Sequence, residues 1–338
     1  MMRRERMPRA APVIVGVVTL VLLVAMVWPR PPLLALAHVA VGLGRNDVTA
    51  ADLDPRTARN AIVLVAGIDD RSVLEGDVFG AFEGRHADVL LIVSITASSD
   101  PSLIVSVPRD LRARVPGYGE QRLGAYRQYG ATTLVRAVQS IVPVPINHYV
   151  EIDLAGFAAI VDAVGGVAVR FPYDARDRVS GFVVRRGTRW LDGQRALAYI
   201  RARQYEERRD GRWRRVTDDD IGRIRRQHRV MSALLADPVD VAGRRVLDAL
   251  IAAGGHLTVD RTMDLQDVVE LTRSVSAATT DLTTMPTRRA VPRDELLSPF
   301  PPLRWGGGAV REPVPLAAER LVARLRAHHQ RGTEAARS

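Results

Sequence analysis

With 338 residues, 47% of them hydrophobic, and a mean hydropathy near zero, the chain can bury a sizeable core and is not a disordered polymer. All 48 strongly basic side chains are arginine, which excludes a lysine nucleophile, and the absence of cysteine excludes disulfides, thiolate chemistry and cysteine-bound metal clusters. The net charge of +10 suits an anionic partner. Abundant Ala, Val and Gly attribute most of the arginine excess to GC-rich codon usage, so only the placement of individual arginines carries functional meaning.

Residues 1–9 hold Arg3, Arg4, Arg6 and Arg9, and residues 10–28 carry no charge over a length that spans a bilayer. This pattern predicts a cytoplasmic basic tail and one transmembrane signal anchor, with the rest of the chain outside the cytoplasm. The apolar run is longer than an ordinary signal-peptide core, and Trp28-Pro29-Arg30 suits an interfacial anchor better than a small-residue cleavage site. Residues 29–59 read as a connecting segment. Within it, Leu33 to Leu43 is too short to cross comfortably and contains His38, so it is expected at the membrane surface or as a connecting helix.

Between residues 60 and 290, β-rich runs alternate with amphipathic segments, the pattern of a sheet covered by helices. Strands are expected at Asn60 to Gly67, Val89 to Thr96, Leu103 to Val107, His148 to Ile152, Val167 to Phe171 and Leu282 to Met285. Helices are expected at Thr132 to Ile141, at Leu154 to Val164 before Gly165-Gly166, along the Ile221, Ile224, His228, Met231, Leu235 stripe, and at Val246 to Ala253 and Leu265 to Val275. The charged stretch Gln204 to Thr217 reads as a mobile surface loop. Residues 291–338 read as a Pro/Gly-rich extension with a short helix over Leu316 to His328.

Asp69, in Gly67-Ile68-Asp69-Asp70-Arg71, follows an apolar strand where sheet ends deliver ligand-binding groups, although a polar turn alone would also explain it. Asp88 opens the next strong strand, so the two carboxylates can converge and share a hard cation such as magnesium or manganese. In Val107-Pro108-Arg109-Asp110 the proline stops pairing, and Arg109 either forks onto a phosphate or pairs with Asp110. Arg201 and Arg203 point the same way if extended. Arg223 and Gln227 are one helical turn apart at the edge of an apolar stripe. His86 and His148 are isolated and read as structural. No Walker loop, Gly-x-Ser-x-Gly elbow or His-Glu-x-x-His helix is present.

These motifs, taken in order with His86-Ala87-Asp88, Leu191 to Arg203, Asp220 to Gln227 and Pro145 to Val167, resemble the LytR-CpsA-Psr family over about Asn60 to Ala236. The resemblance implies a three-layered α/β/α domain with a central mixed sheet flanked by helices, outside the membrane. It implies transfer of a cell-wall glycopolymer from a polyprenyl-diphosphate-linked glycan to peptidoglycan, with no nucleic-acid partner. It places magnesium on Asp69 and Asp88 and the diphosphate among Arg109, Arg201, Arg203, Arg223 and Gln227. Arg85, Asp110, Arg122 and Arg226 are expected to contact substrate. The chain departs from the family where His86-Ala87-Asp88 replaces Arg-Ser-Asp, with Arg85 one residue earlier in place to substitute. It departs again where Arg122-Leu123-Gly124-Ala125 replaces Lys-x-Asn-Ala. The alternatives are a non-catalytic polyprenyl-lipid-binding protein and a polyprenyl diphosphatase. No general base is identified, since a metal-bound Asp69 is a poor one.

Overall fold

Runs of Val, Ile and Leu bounded by polar turns form the centre of the molecule. The computed structural model describes residues 43–56, 60–70, 85–95, 102–216, 220–236, 251–264, 267–268, 281–289 and 311–335. The expected anchor over residues 10–28 lies outside these, as does most of Val246 to Ala253 and Leu265 to Val275. No helix among the described residues is long and apolar enough to cross a membrane.

In chain order the elements are β1 (Gly44–Arg45), β2 (Ala61–Asp70), β3 (Arg85–Ile95), β4 (Leu103–Ser106), β5 (Arg112–Val115), β6 (Gly119–Arg122), a 3-10 turn (Leu123–Tyr129), α1 (Ala131–Ile141), β7 (His148–Asp153) and α2 (Leu154–Ala163). A smaller lobe follows with β8 (Val167–Phe171), β9 (Ala175–Asp177), β10 (Phe182–Val184), β11 (Gly187–Leu191), α3 (Gly193–Arg201), β12 (Glu206–Arg209) and β13 (Arg212–Arg215). The chain then forms α4 (Asp220–Ala236), β14 (Leu257–Val259), β15 (Asp281–Thr284), β16 (Thr287–Arg289), β17 (Arg311–Pro313) and α5 (Pro315–Ala335).

Seven strands form one mixed sheet in the order β1-β14-β7-β2-β3-β4-β15. Strands β2, β3 and β4 run as an antiparallel meander, while β7 lies parallel to β2 and β15 parallel to β4. Because side chains alternate along a strand, Ile62, Leu64, Ala66 and Ile68 enter one apolar cluster and Ala61 and Val63 another, so β2 is buried on both faces. The first cluster takes in Leu134 and Val138 of α1, and the second is flanked by Ile160 of α2 and Met231 of α4.

Three expectations change. The first two strands run on through their polar ends, to Asp70 and from Arg85, because the antiparallel pair continues past the apolar run. Gln204 to Thr217 contains a hairpin, β12 and β13, closed by Asp210 and Gly211 at φ 51° and 76° and paired through β12 to β9. That two-residue turn matches the strand twist, and the high charge had concealed it. The C-terminal helix is longer than Leu316 to His328 and belongs to the core: Leu321 and Leu325 join the cluster of Ile62 and Leu64, and Asn60 Nδ2 donates to the His329 carbonyl at 2.7 Å.

Leu325→Ala should therefore cost about 2–5 kcal/mol, a loss to be read from urea denaturation. Burial depresses the pKa of both His228 and His329, the latter also through the charge of His328. Their folded forms bind protons less readily than the unfolded chain, so their contribution is complete above the unfolded value near 6.5 and declines as pH falls below it. Melting temperatures should fall between pH 7.5 and pH 5.5, and less steeply in a His228→Asn/His329→Asn variant (pH steps of about one unit suffice to follow it).

Candidate active site

Antiparallel pairing brings the end of β2, the start of β3 and the end of β4 to one edge of the sheet. Asp69, Asp88 and Arg109-Asp110 therefore meet there, although the sequence separates them. Gly67 pairs with Val89 but Ile68 pairs with Ala87, so Asp88 is the extra residue of a β-bulge. Simple alternation from Leu90 would turn Asp88 toward the core of Leu90 and Ile92. The bulge returns Ala87 to that core and re-aims Asp88 toward Arg109.

Asp110 organises the arginines. Its side chain is 3% exposed and lies 3.7 Å from Arg109 Nε, 3.8 Å from Arg122 Nη1 and 3.9 Å from Arg223 Nη2. Arg109 also forms an ion pair with Asp88. Across the edge, Arg201 Nη2 stands 4.0 Å from Oδ1 of the buried Asp69, with the arginine side chain 42% exposed. Arg201 reaches this position from the last turn of α3, whose start is fixed by Asp192 accepting from the Arg195 amide at 2.8 Å. The segment is helical through Arg201, so the extended case in which Arg201 and Arg203 would point the same way does not apply.

Arg122 is placed from below. The Leu123 and Gly124 amides donate to the carbonyls of Leu111 and Arg109, both at 2.8 Å, and draw the 3-10 turn against the β4 end. A Cβ at Gly124 would stand 2.3 Å from the Ala87 carbonyl oxygen, so the turn and the bulge touch backbone to backbone at this position. In the sequence Gly124 stands out only as a departure from the Asn of Lys-x-Asn-Ala. The same turn is riveted to the sheet by Arg127, which pairs with Glu151, its Nη2 donating to Oε2 at 3.0 Å, while Tyr149 Oη donates to Oε1 at 2.6 Å. Burial opposes the Arg127 charge, but Glu151 outweighs it and raises the pKa; burial and Glu151 also push Tyr149 well up, keeping it a neutral donor. Nothing in the local sequence signals this network, because its members lie on separate elements.

Gln227 lies one turn beyond Arg223 on α4, and both are buried. Arg226 is buried too, but donates to the Ala202 carbonyl and stacks 5.1 Å from the Tyr205 ring centroid, an anchor for the segment after α3. Arg203 is exposed just beyond α3, and Arg85 is exposed at the start of β3, in register with Asp70. His148 is buried at the far end of β7, 3.2 Å from Asp260, in a structural pair.

Four guanidiniums and three carboxylates gather at the end of the mixed sheet of an α/β protein, and guanidiniums are groups that can fork onto an anion. The LytR_cpsA_psr family matches residues 43–290, and the chain belongs to that family. It is 28% identical over 209 residues to a polyisoprenyl-teichoic acid-peptidoglycan teichoic acid transferase, TagU, of Halalkalibacterium halodurans, covering 60% of this chain and 61% of that one. It is 26% identical over 243 residues to the TagT transferase of Bacillus subtilis strain 168, covering 70% of each. The chain thus spans 61% to 70% of the length of these relatives. Among solved structures, a LytR-Csp2A-Psr enzyme from Actinomyces oris superposes with a TM-score of 0.63 at 28% identity, over 84% of this chain and 95% of that one.

Asp110→Asn should have two opposite effects. Removing the charge shared by three guanidiniums should cost about 3 kcal/mol in denaturation, while titration calorimetry should show tighter binding of pyrophosphate, since less of the positive field is offset.

Proposed function

We propose that the domain transfers a cell-wall glycopolymer from a polyprenyl-diphosphate lipid carrier to peptidoglycan, forming a phosphodiester. The observation that carries this reading is the convergence of Arg109, Arg122, Arg201 and Arg223 with Asp69 and Asp88 at one sheet edge. The transferase names of the relatives agree with it. A hydroxyl of a peptidoglycan sugar attacks the phosphorus bonded to the glycan, the bond to the bridging oxygen breaks, polyprenyl phosphate leaves, and the hydroxyl proton passes to water. Arg109 and Arg223 hold the diphosphate, and the exposed Arg201 meets the charge that grows on the departing phosphate. Guanidiniums stay protonated throughout, so this stabilisation is independent of pH over the working range.

Asp69 and Asp88 fit a divalent cation in donor chemistry. Both are hard oxygen donors, and Asp88 already carries the Arg109 guanidinium, so a positive charge is accommodated there. Among the described residues no group of three or more His, Cys, Asp or Glu side chains is placed to hold a metal ion, so magnesium on Asp69 and Asp88 would need oxygens from the diphosphate or from water as well. When bound, magnesium would neutralise the diphosphate and polarise the phosphorus.

In this reading the domain is the three-layered α/β/α fold of the family. It stands outside the cytoplasmic membrane, anchored through the apolar residues 10–28, where it meets both the lipid-linked glycan and the peptidoglycan acceptor.

Asp88→Ala and Arg109→Ala should each lower transfer of lipid-linked glycan to peptidoglycan by about 100-fold or more, with melting behaviour and circular dichroism retained. Full activity in both variants would overturn the assignment. Chelation with EDTA should abolish transfer, and added magnesium should restore it.

A further inference from the structure

The net charge of the chain is concentrated in one place. Residues 167–215 contain fourteen arginines and six carboxylates, a net +8 of the chain's +10. All of these arginines except Arg176 are exposed. Three of the six carboxylates are engaged by backbone amides: Asp174 accepts from Arg186, Asp177 from Val179 and Ser180, and Asp192 from Arg195. They stabilise turns and a helix start, and do little to offset the arginines across the surface.

Apolar side chains are exposed on the same lobe. Val183 is 67% exposed, Trp190 59%, Val179 52% and Tyr173 38%. Arg195 ties two of them together, with Nη1 donating to the Trp190 carbonyl at 3.3 Å and Nη2 to the Val183 carbonyl at 3.5 Å. The Arg195 guanidinium thus links the backbone of the two segments that carry Trp190 and Val183, and these form a platform on the lobe. Beneath it, Phe171, Phe182 and Tyr199 pack with ring centroids 5.0 to 5.8 Å apart.

We infer that the outer face of this lobe is a docking surface for an anionic lipid bilayer. Guanidiniums bind headgroup phosphates by forked hydrogen bonds, and aromatic and aliphatic tips enter the boundary between headgroups and acyl chains. A sugar-phosphate polymer or a nucleic acid matches the charge but offers no apolar medium for Val183 and Val179, which favours the bilayer. Helix α3 rises about 1.5 Å per residue, so Arg201 at the phosphate site lies about 12 Å along its axis from Gly193 beside the platform. Docking would hold the site within reach of a phosphate at the membrane surface. The inference does not depend on transfer chemistry: its failure leaves the Asp88→Ala test untouched, and the reverse also holds.

The absence of cysteine allows a clean probe in the full-length chain. Val183→Cys is labelled with an environment-sensitive fluorophore and reconstituted in phosphatidylcholine vesicles, with or without phosphatidylglycerol, that carry quenchers in the acyl region. Quenching should rise on the order of tenfold with phosphatidylglycerol and fall back in ~0.5 M NaCl, where screening is short-ranged. An Arg185→Glu/Arg186→Glu background, checked for folding by circular dichroism, should abolish the response, and a label at Ser140→Cys on α1 should show none. A label at position 183 that stays aqueous, responds equally in neutral vesicles, or responds no more than the one at position 140 overturns the proposal. So does a response to soluble long-chain polyphosphate that matches the response to vesicles, which would assign the face to a polymer.

Discussion

Like charges do not gather without a partner, and the architecture at the sheet edge follows from how this chain supplies one. Arg109, Arg122 and Arg223 come from three different elements, and each stands within 4 Å of the Asp110 carboxylate. At that separation and an effective dielectric of about 20, one pair attracts by about 4 kcal/mol, against a desolvation cost of several kcal/mol for the buried carboxylate. Three attractions on one carboxylate tilt this balance. Asp110 is the fixed counter-charge around which the three arginines are arranged.

The scaffold keeps that cluster from relaxing. Arg122 is held because the Leu123 and Gly124 amides dock on the chain that leaves β4, and that turn is secured in turn by Arg127 and Glu151 on the central sheet. Gly124 matters because the Ala87 carbonyl occupies the space a side chain would need. The bulge that presents Asp88 and the turn that presents Arg122 therefore share one backbone contact. The family resemblance identifies Ala87 and Gly124 as departures, and the fold makes them neighbours.

Two regions with different electrostatic economies coexist in the molecule. At the sheet edge, positive and negative groups are nearly matched and, Arg201 apart, buried or half-buried, which suits preorganised binding of a small, densely charged group. On the small lobe, positive charge is in excess and exposed beside apolar side chains, which suits a broad surface. Helix α3 joins them, with the platform at its start and Arg201 at its end.

The sequence by itself determined the mixed α/β alternation, most strand and helix positions, and the strand-end placement of Asp69, Asp88 and Arg109. These were legible because apolar period and strand-end placement are local properties of the chain. It could not separate Arg226, which props up the Ala202 carbonyl, from Arg223 three residues earlier, since both lie in one arginine-rich helix and only packing distinguishes them. The hairpin within 204–217 was hidden because its outward face is arginine and its pairing partner, β9, is about thirty residues away. Tertiary structure also decided that Asp110 serves three arginines rather than one, and that α5 belongs to the core. Both depend on contacts between segments far apart in sequence, which no local period records.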